Sequence, residues 1–312
     1  MLALLVAACA ASDTLSLVRL PMSHQRVVAL TCVDGDPLAV ISTGLGEPES
    51  VVSVLSGLQA TLPIVGATQT LATGTGRFAV FAASARLVIH CRSKPLSCER
   101  TDITALPGPF VPSLDTVAGG WIGAPLDNPS SLVRFDHRGK TWTGMGQQPR
   151  VARDPVSNAR MLHSYVVVLG RSALIFRRYA GAIERMDLMT GEQATLRAPD
   201  DFLPVARTWQ RTRTPGFALL PETRIAYTAS FALDTFALAL YSGRVRGTSP
   251  REAGNARHLR EFAPDGRMLR EWFLSAPVRT GAVCTDGRMY LAGEEHGASV
   301  LYWVDLPRRR LS

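Results

Sequence analysis

The feature that most constrains the fold of this chain is a two-part unit that recurs along its length. The first part is a short strand of apolar and aromatic residues, such as "TFALALYSG" at 235–243. The second part is an apolar run that breaks at a turn and resumes as an alternating strand, most clearly in "REFAPDGRMLREWFL" at 260–274. Recurrence about every 45 residues indicates a fold built from similar modules.

The turns inside these units share one chemistry. "FDHRGK" at 135–140, "MDLMTGE" at 186–192 and the Pro-Asp-Gly of 264–266 each place an Asp shortly before a Gly. An Asp side chain can accept hydrogen bonds from the backbone that follows it, and Gly accepts a positive φ. Each turn therefore predicts a β-hairpin.

The units together predict an all-β protein. Convincing helical periodicity is absent from the sequence, and modules of roughly 40–50 residues with four short strands each are typical of β-propellers. Five clear units and a weaker first one around 26–43 predict six blades, with five or seven as alternatives. The last unit, 276–312, is too short for four strands, so the lone strand "TLSLVRLP" at 14–21 is predicted to complete it and close the ring.

The opening segment "MLALLVAACAASD" predicts export. Its apolar run is far shorter than the roughly 20 residues that span a bilayer. Val6-Ala7-Ala8-Cys9 resembles the lipobox of bacterial lipoproteins, which implies lipidation of Cys9 and, with Ala10 following, the outer membrane. No basic residue precedes the run, unlike an ordinary secretory signal, and a buried first strand is the alternative.

The domain organisation follows from these boundaries. Residues 1–9 are interpreted as a lipoprotein-type signal segment, 10–23 as a tether and closing strand, and 24–312 as the propeller.

The remaining cysteines favour an oxidising compartment. Two short strands in "VIHCRSKPLSCER" place Cys91 across a turn from Cys98, within reach of a disulfide. Two reduced, buried thiols are the alternative. Cys32 and Cys284 are left near opposite ends of the chain, and whether they pair stays open at this point.

The turns and the lipobox together resemble the TolB-like six-bladed propeller lipoproteins of bacterial envelopes. The resemblance covers the chain from about residue 24 onward. It implies the fold and an envelope location. Its motifs are structural, so it implies little about function.

The charge pattern argues against a nucleic-acid partner. The net charge is +8, yet nearly all the cations are arginines scattered among strands and turns. Three small groups stand out: Arg177 with Arg178, the arginines of 207–213, and Arg308 to Arg310. Each is interpreted as a solvated strand edge, loop or tail rather than a phosphate site.

Motifs for catalysis are scarce. The glycines of "ATGTGRFAV" at 72–80 lack the Gly-Lys-Ser/Thr of a phosphate loop, and Gly-x-Ser-x-Gly and His-Glu-x-x-His are absent from the sequence. A propeller can still gather metal ligands from different blades into its channel. The polar residues near predicted strand starts are Asp115, Asp127, Asn128, Glu222, Asp234, Glu294, Glu295 and His296.

Two candidate sites follow. Glu294, Glu295 and His296 form the densest polar cluster and would hold a divalent cation if the protein were a metal-dependent hydrolase of the lactonase type. In "ARTWQRTRTPGF" at 206–217, the aromatic ring and cations of four residues suit an anionic or sugar-like ligand, with a plain connector between blades as the alternative. These four residues are Arg207, Trp209, Arg211 and Arg213.

The leading functional prediction is a lipid-anchored, non-enzymatic binding or scaffolding module of the bacterial envelope. It needs no cofactor, and its partner would be a protein or a small molecule. The metal-dependent hydrolase is the alternative function.

Overall fold

The computed structural model describes residues 13–20, 26–42, 47–126, 128–149, 161–196, 202–211, 214–247, 249–295 and 298–307. Strands make up nearly all of the regular structure in these ranges, and a short helical turn spans Pro250–Ala253. No helix in the described ranges is long and apolar enough to cross a membrane. The all-β prediction is confirmed.

Twenty-six strands follow one another in the described ranges. Their bounds are β1 Asp13–Leu15, β2 Val18–Leu20, β3 Arg26–Val33, β4 Asp36–Ser42, β5 Ser50–Ser53, β6 Gln59–Thr61, β7 Gln69–Gly74, β8 Arg77–Ala82, β9 Leu87–Ser93, β10 Leu96–Ala105, β11 Asp115–Val117, β12 Gly120–Gly123, β13 Leu132–Asp136, β14 Trp142–Met145, β15 Ser164–Leu169, β16 Ser172–Arg177, β17 Ile183–Asp187, β18 Gln193–Leu196, β19 Ala206–Arg211, β20 Thr214–Leu219, β21 Arg224–Leu233, β22 Phe236–Val245, β23 Ala256–Phe262, β24 Met268–Val283, β25 Arg288–Glu295 and β26 Ala298–Asp305.

Four sheets are simple antiparallel meanders of four consecutive strands. They are β3 to β6, β7 to β10, β11 to β14 and β15 to β18. Because each strand pairs with the next one in sequence, every sheet is a closed local unit joined to its neighbour by one connection. These sheets match the repeated units of the sequence.

The rest of the chain forms a two-stranded hairpin, β19–β20, and an eight-stranded sheet. Strand β24 belongs to both halves of that sheet, because residues 268–273 pair with β23 and residues 278–283 pair with β25. At the junction Val278 pairs with both neighbours, Ala256 of β23 and Gly293 of β25. Strand β2 pairs antiparallel with β26, with Val18 opposite Trp303. The N-terminal strand therefore lies in the same sheet as the C-terminal one.

The apolar core lies between successive sheets rather than within one. Phe78 and Val80 of β8 pack with Val40 and Val51 of the preceding sheet. On the other face of β8, Phe81 packs with residues of the following sheet. Alternate strand residues point to opposite faces, so each central strand serves two cores, as propeller blades require.

The first and last sheets share a core in the same way. Val27 and Ile41 of the first sheet pack with Ala282, Ala292 and Leu301 of the eight-stranded sheet. The disulfide Cys32–Cys284 joins the same two sheets. The pairing that the sequence left open is therefore present.

The second disulfide is the one that the sequence predicts. Cys91 and Cys98 are directly opposite each other in the β9–β10 pair and are bonded.

The predicted turns also form as hairpins. The Asp136 carboxylate accepts hydrogen bonds from the Thr141 hydroxyl at 2.7 Å and from the Arg138 N–H at 2.7 Å, which holds the pKa of Asp136 well below its usual range. At the Pro-Asp-Gly turn, Gly266 has a φ of +82° and its N–H donates to the Ala263 carbonyl at 2.8 Å. Local turn chemistry therefore sets where each strand ends.

Candidate functional site

The candidate site is a channel enclosed by one strand, or strand start, from each unit. Its cavity has a volume of about 580 Å³. Six inner segments line it: 26–32, 67–72, 112–116, 165–167, 228–232 and 279–283. The central channel of a propeller is bounded by the innermost strand of each blade in this way.

Hydrogen bonds between units show which residues share one end of the channel. The Ala226 N–H donates to the Arg178 carbonyl at 2.7 Å, so Arg178 lies at the end where β21 begins. Asn255 precedes β23 at that same end. The Arg279 guanidinium donates to the Val27 carbonyl at 2.9 Å, which places Arg26 beside Arg279. We call this end, defined by Arg26, Arg178, Asn255 and Arg279, the arginine mouth.

Arg279 joins the first sheet to the eight-stranded sheet through hydrogen bonds. Its guanidinium donates to Glu294 Oε2 at 3.0 Å and to Ser299 Oγ at 3.3 Å, in addition to the Val27 carbonyl. Ser299 Oγ also accepts from the Val27 N–H at 2.9 Å. The charge of Arg279 is thus balanced, and its hydrogen bonds tie β3 to the last sheet.

Arg178 has a different environment. Its Nη1 donates to the Tyr165 hydroxyl at 2.6 Å, and the two tyrosines Tyr165 and Tyr179 raise its pKa further above the ordinary arginine value. Burial, together with the positive charge of Arg178, lowers the pKa of the neighbouring His163 to about 3. Arg178 is therefore charged and His163 neutral at physiological pH. Within the described ranges, no carboxylate forms an ion pair with Arg178.

Asp115 lies deeper in the channel and also links two inner strands. Its Oδ2 accepts from the Val168 N–H at 2.7 Å and its Oδ1 from the Thr116 N–H at 2.7 Å. Burial raises the pKa of Asp115 to about 6, because removing water disfavours the carboxylate. The Gln69 side chain links the next pair, exchanging two hydrogen bonds with the Leu114 backbone at 2.8 Å.

The arginine–tryptophan segment forms the hairpin β19–β20. The Leu220 N–H donates to the Val205 carbonyl at 2.9 Å at its base, which lies beside the start of β21 and so at the same end as the arginine mouth. Arg207 is exposed, and Trp209 and Arg211 occupy β19 opposite Gly216 and Thr214. Arg213 lies outside the described residues. The described part of the hairpin contributes nothing to the channel wall.

The acidic cluster is divided between separate partners. Glu294 accepts a hydrogen bond from Arg279, whereas Glu295 accepts one from the Tyr302 hydroxyl. The Oε2 atom of Glu295 also lies 3.4 Å from Nη1 of Arg19. His296 lies outside the described residues. In the part of the chain that the structure covers, no group of three or more His, Cys, Asp or Glu is arranged to hold a metal ion. The metal site stays a prediction.

The other polar candidates occupy turns, with one exception. Asn128 accepts from the Ser130 N–H at 2.9 Å, and Glu222 and Asp234 lie in turns between strands. Asp127 and the proposed lipidation residue Cys9 lie outside the described residues. Among the candidates that the structure describes, Asp115 is the one that lines the channel.

The channel arginines were not predicted from the sequence, and Arg177 was predicted in the wrong environment. Arg177 and Arg178 were expected in a solvated position, but the Arg177 side chain is only 2% exposed and Arg178 lines the channel. The local sequence gives no signal for this. Arg26, Arg178 and Arg279 line one channel only because the units are arranged around one axis.

Comparison with known proteins supports the architecture. No family model matches the chain, and no curated protein does so either. A streptogramin B lyase structure is 13% identical over 93% of this chain and 96% of that one, with a TM-score of 0.53. The WD40 repeats of RRP9 are 9% identical over 94% and 99%, with a TM-score of 0.53. The fold is a β-propeller. At these identities the likeness concerns the fold alone.

Proposed function

We propose that this propeller is a non-enzymatic binding module of the bacterial cell envelope. The proposal rests on a difference between the polar residues of the channel: some join neighbouring strands, and others do not. Arg279, Asp115 and Gln69 use their polar atoms to join the inner strands of neighbouring sheets, so they serve the structure. Arg178 and Tyr165 hydrogen-bond to each other at the mouth and remain available for recognition.

We propose further that the propeller has six blades and a closed ring. The eight-stranded sheet divides at β24 into two blades, the first made of β21 to β23 with residues 268–273. The second is made of residues 278–283 with β25, β26 and β2, and the eighth strand, β1, pairs with residues 272–274 at the edge of the first. Six inner segments around the channel support this count. The β2–β26 pair, the shared core and the Cys32–Cys284 disulfide support closure between the first and last blades.

The envelope location and the lipid anchor are part of the same proposal. Two disulfides favour an oxidising compartment such as the periplasm. Cys9 in the lipobox would carry the lipid, by resemblance to TolB-like lipoproteins, and the anchor would be the only membrane attachment.

Metabolic labelling with a clickable palmitate analogue tests the anchor. The full chain, expressed in a Gram-negative host, is expected to incorporate label and to sediment with outer membranes. Cys9→Ala should remove both properties, whereas Cys32→Ala with Cys284→Ala should retain the label. Equal labelling of the Cys9→Ala variant would reject lipidation at this position.

Elemental analysis separates the binding module from the lactonase-type hydrolase. We expect purified protein without a stoichiometric divalent cation and with a melting temperature that a chelator leaves unchanged. A stoichiometric cation whose removal lowers the melting temperature would favour the hydrolase and direct attention to Glu294, Glu295 and His296.

A further inference from the structure

We propose that the arginine mouth is an anion site in which Arg178 and Tyr165 bind a carboxylate or phosphate group of a ligand. This inference rests on the proposed binding function and specifies the chemistry of its ligand. The site would hold a small anion or the anionic end of a longer chain, because the cavity is about 580 Å³.

Arg178 carries a positive charge that no carboxylate balances within the described ranges. Its side chain is half-buried at the channel, where a cation without a counter-charge is costly. The partners that the structure gives it are tyrosines: Arg178 donates to the Tyr165 hydroxyl at 2.6 Å and also hydrogen-bonds to Tyr179. A guanidinium has five N–H donors in a planar fork that fits a carboxylate or phosphate in a bidentate manner. An anion would supply the missing negative charge.

The hydroxyl group of Tyr165 is a second hydrogen-bond donor beside Arg178. Since Tyr165 accepts a hydrogen bond from Arg178, its own O–H remains free to donate to another acceptor. The described residues provide none for it. Arg178 and Tyr165 both line the channel, so they offer two neighbouring donors to one ligand group.

A third observation comes from the wall beside them. Thr228 lines the same channel and is 6% exposed, and its buried hydroxyl has no hydrogen-bond partner among the described residues. Buried hydroxyls are normally satisfied by protein, water or ligand. Thr228 is therefore a further polar side chain in the channel wall whose hydroxyl has no partner among the described residues.

The other charges of the mouth leave an excess of positive charge. Glu294 balances Arg279, and Glu49 lies close enough to Arg26 for their charges to interact. Arg178 is the cation that remains without a carboxylate within the described ranges. Asp115 is the opposing charge deeper in the channel, where it binds backbone N–H groups. Low-dielectric channel walls strengthen the attraction of an anion to such a mouth.

Isothermal titration calorimetry on the full chain tests the site with three probes. Inorganic phosphate represents the phosphate source, and a short peptide with a free C-terminal carboxylate represents the carboxylate source. The same peptide with a C-terminal amide is the matched control. We expect one-to-one binding of at least one anionic probe, no binding of the amide, and weaker binding as salt is raised.

Two variants assign the binding to the proposed donors. Arg178→Gln should weaken the bound probe at least tenfold, and Tyr165→Phe, which removes a single hydroxyl, several-fold. Arg267→Gln is the control, because this exposed arginine lies on the β23–β24 turn at the opposite end of its sheet from Asn255. It should leave the affinity unchanged.

The outcomes separate this inference from the proposed function. Absence of binding by phosphate and by the free peptide up to millimolar concentration would overturn the anion site. Binding that Tyr165→Phe and Arg178→Gln leave unchanged would overturn it as well. If Arg178→Gln does not fold, Tyr165→Phe alone decides. The lipid label and the metal analysis are measured independently, so a labelled, metal-free protein would still be a binding module without this ligand class.

Discussion

At the residue scale, two neighbouring arginines at one strand end lie in different environments, one in a buried ion pair and one at the channel. Arg177 makes a bidentate pair with Glu184 at 2.7 and 2.8 Å and also donates to Ser164 Oγ at 2.8 Å. Arg178, the next residue, lines the channel. Successive side chains of a strand point to opposite sides, so the two charges have separate environments.

Removal of one member of the buried pair should be strongly destabilising. Glu184→Gln leaves the Arg177 charge buried without a carboxylate, and we expect the free energy of unfolding to fall by about 3–5 kcal/mol. Urea denaturation measures this change. The double variant Arg177→Met with Glu184→Leu, which removes both charges, should recover much of the loss. A single variant as stable as the wild type would contradict a strong buried pair.

Because the pKa of Asp115 is raised in the folded protein, we expect the free energy of unfolding to fall as the pH rises. Its pKa is about 6 in the folded protein and 3.8 as an ordinary carboxyl. The stabilisation from protonated Asp115 is therefore complete below pH 3.8 and is lost as the pH rises through about 6. Two pKa units correspond to about 3 kcal/mol. Asp115→Asn cannot ionise, so its stability should fall less between pH 4 and 7 in urea titrations. Parallel curves for the two proteins would exclude this role.

At the element scale, hairpins were predictable because their causes are local. Asp136 and Gly266 lie within the turns that they form, and a short sequence window contains both the polar acceptor and the glycine. The division of β24 between two parts of one sheet was not predictable, since its partners β23 and β25 are set by tertiary pairing. The arginine mouth was missed for the same reason, because it joins residues from distant units.

Gly266 provides a test of how a turn packs against the next unit. It has a φ of +82°, and a Cβ added there would overlap Leu196 Cδ1 of β18. Gly266→Ala should therefore lower the free energy of unfolding by about 1–3 kcal/mol beyond the backbone cost. Gly191→Ala is the matched control, because Gly191 has a φ of +74° with no neighbouring atom within 4 Å of such a Cβ. Equal losses in thermal denaturation would show that Leu196 moves aside.

At the scale of the whole molecule, the two ends of the chain are held together by several independent interactions. Strand β2 pairs with β26, Val27 and Ile41 share a core with Leu301, and Cys32 is bonded to Cys284. A single strand at 14–21 was predicted beside the last unit, because an apolar run there had no other partner. The segment forms two strands instead: β2 pairs with β26, whereas β1 pairs with residues 272–274 of β24. The disulfide was left open, because cysteine connectivity depends on a three-dimensional arrangement that spacing does not reveal.

The two disulfides should contribute very differently to stability. Cys32 and Cys284 are 252 residues apart in sequence, whereas Cys91 and Cys98 are 7 apart. In the chain-entropy model a crosslink restricts the unfolded chain more when its loop is longer, which gives a difference of about 3 kcal/mol between these two. Replacing Cys32 and Cys284 by Ala should therefore lower the free energy of unfolding far more than replacing Cys91 and Cys98. Cys284 and Cys91 are similarly buried, so the cavities left by the two replacements are comparable. Equal losses in urea denaturation would mean that strand pairing and the shared core already hold the ends together in the denatured ensemble.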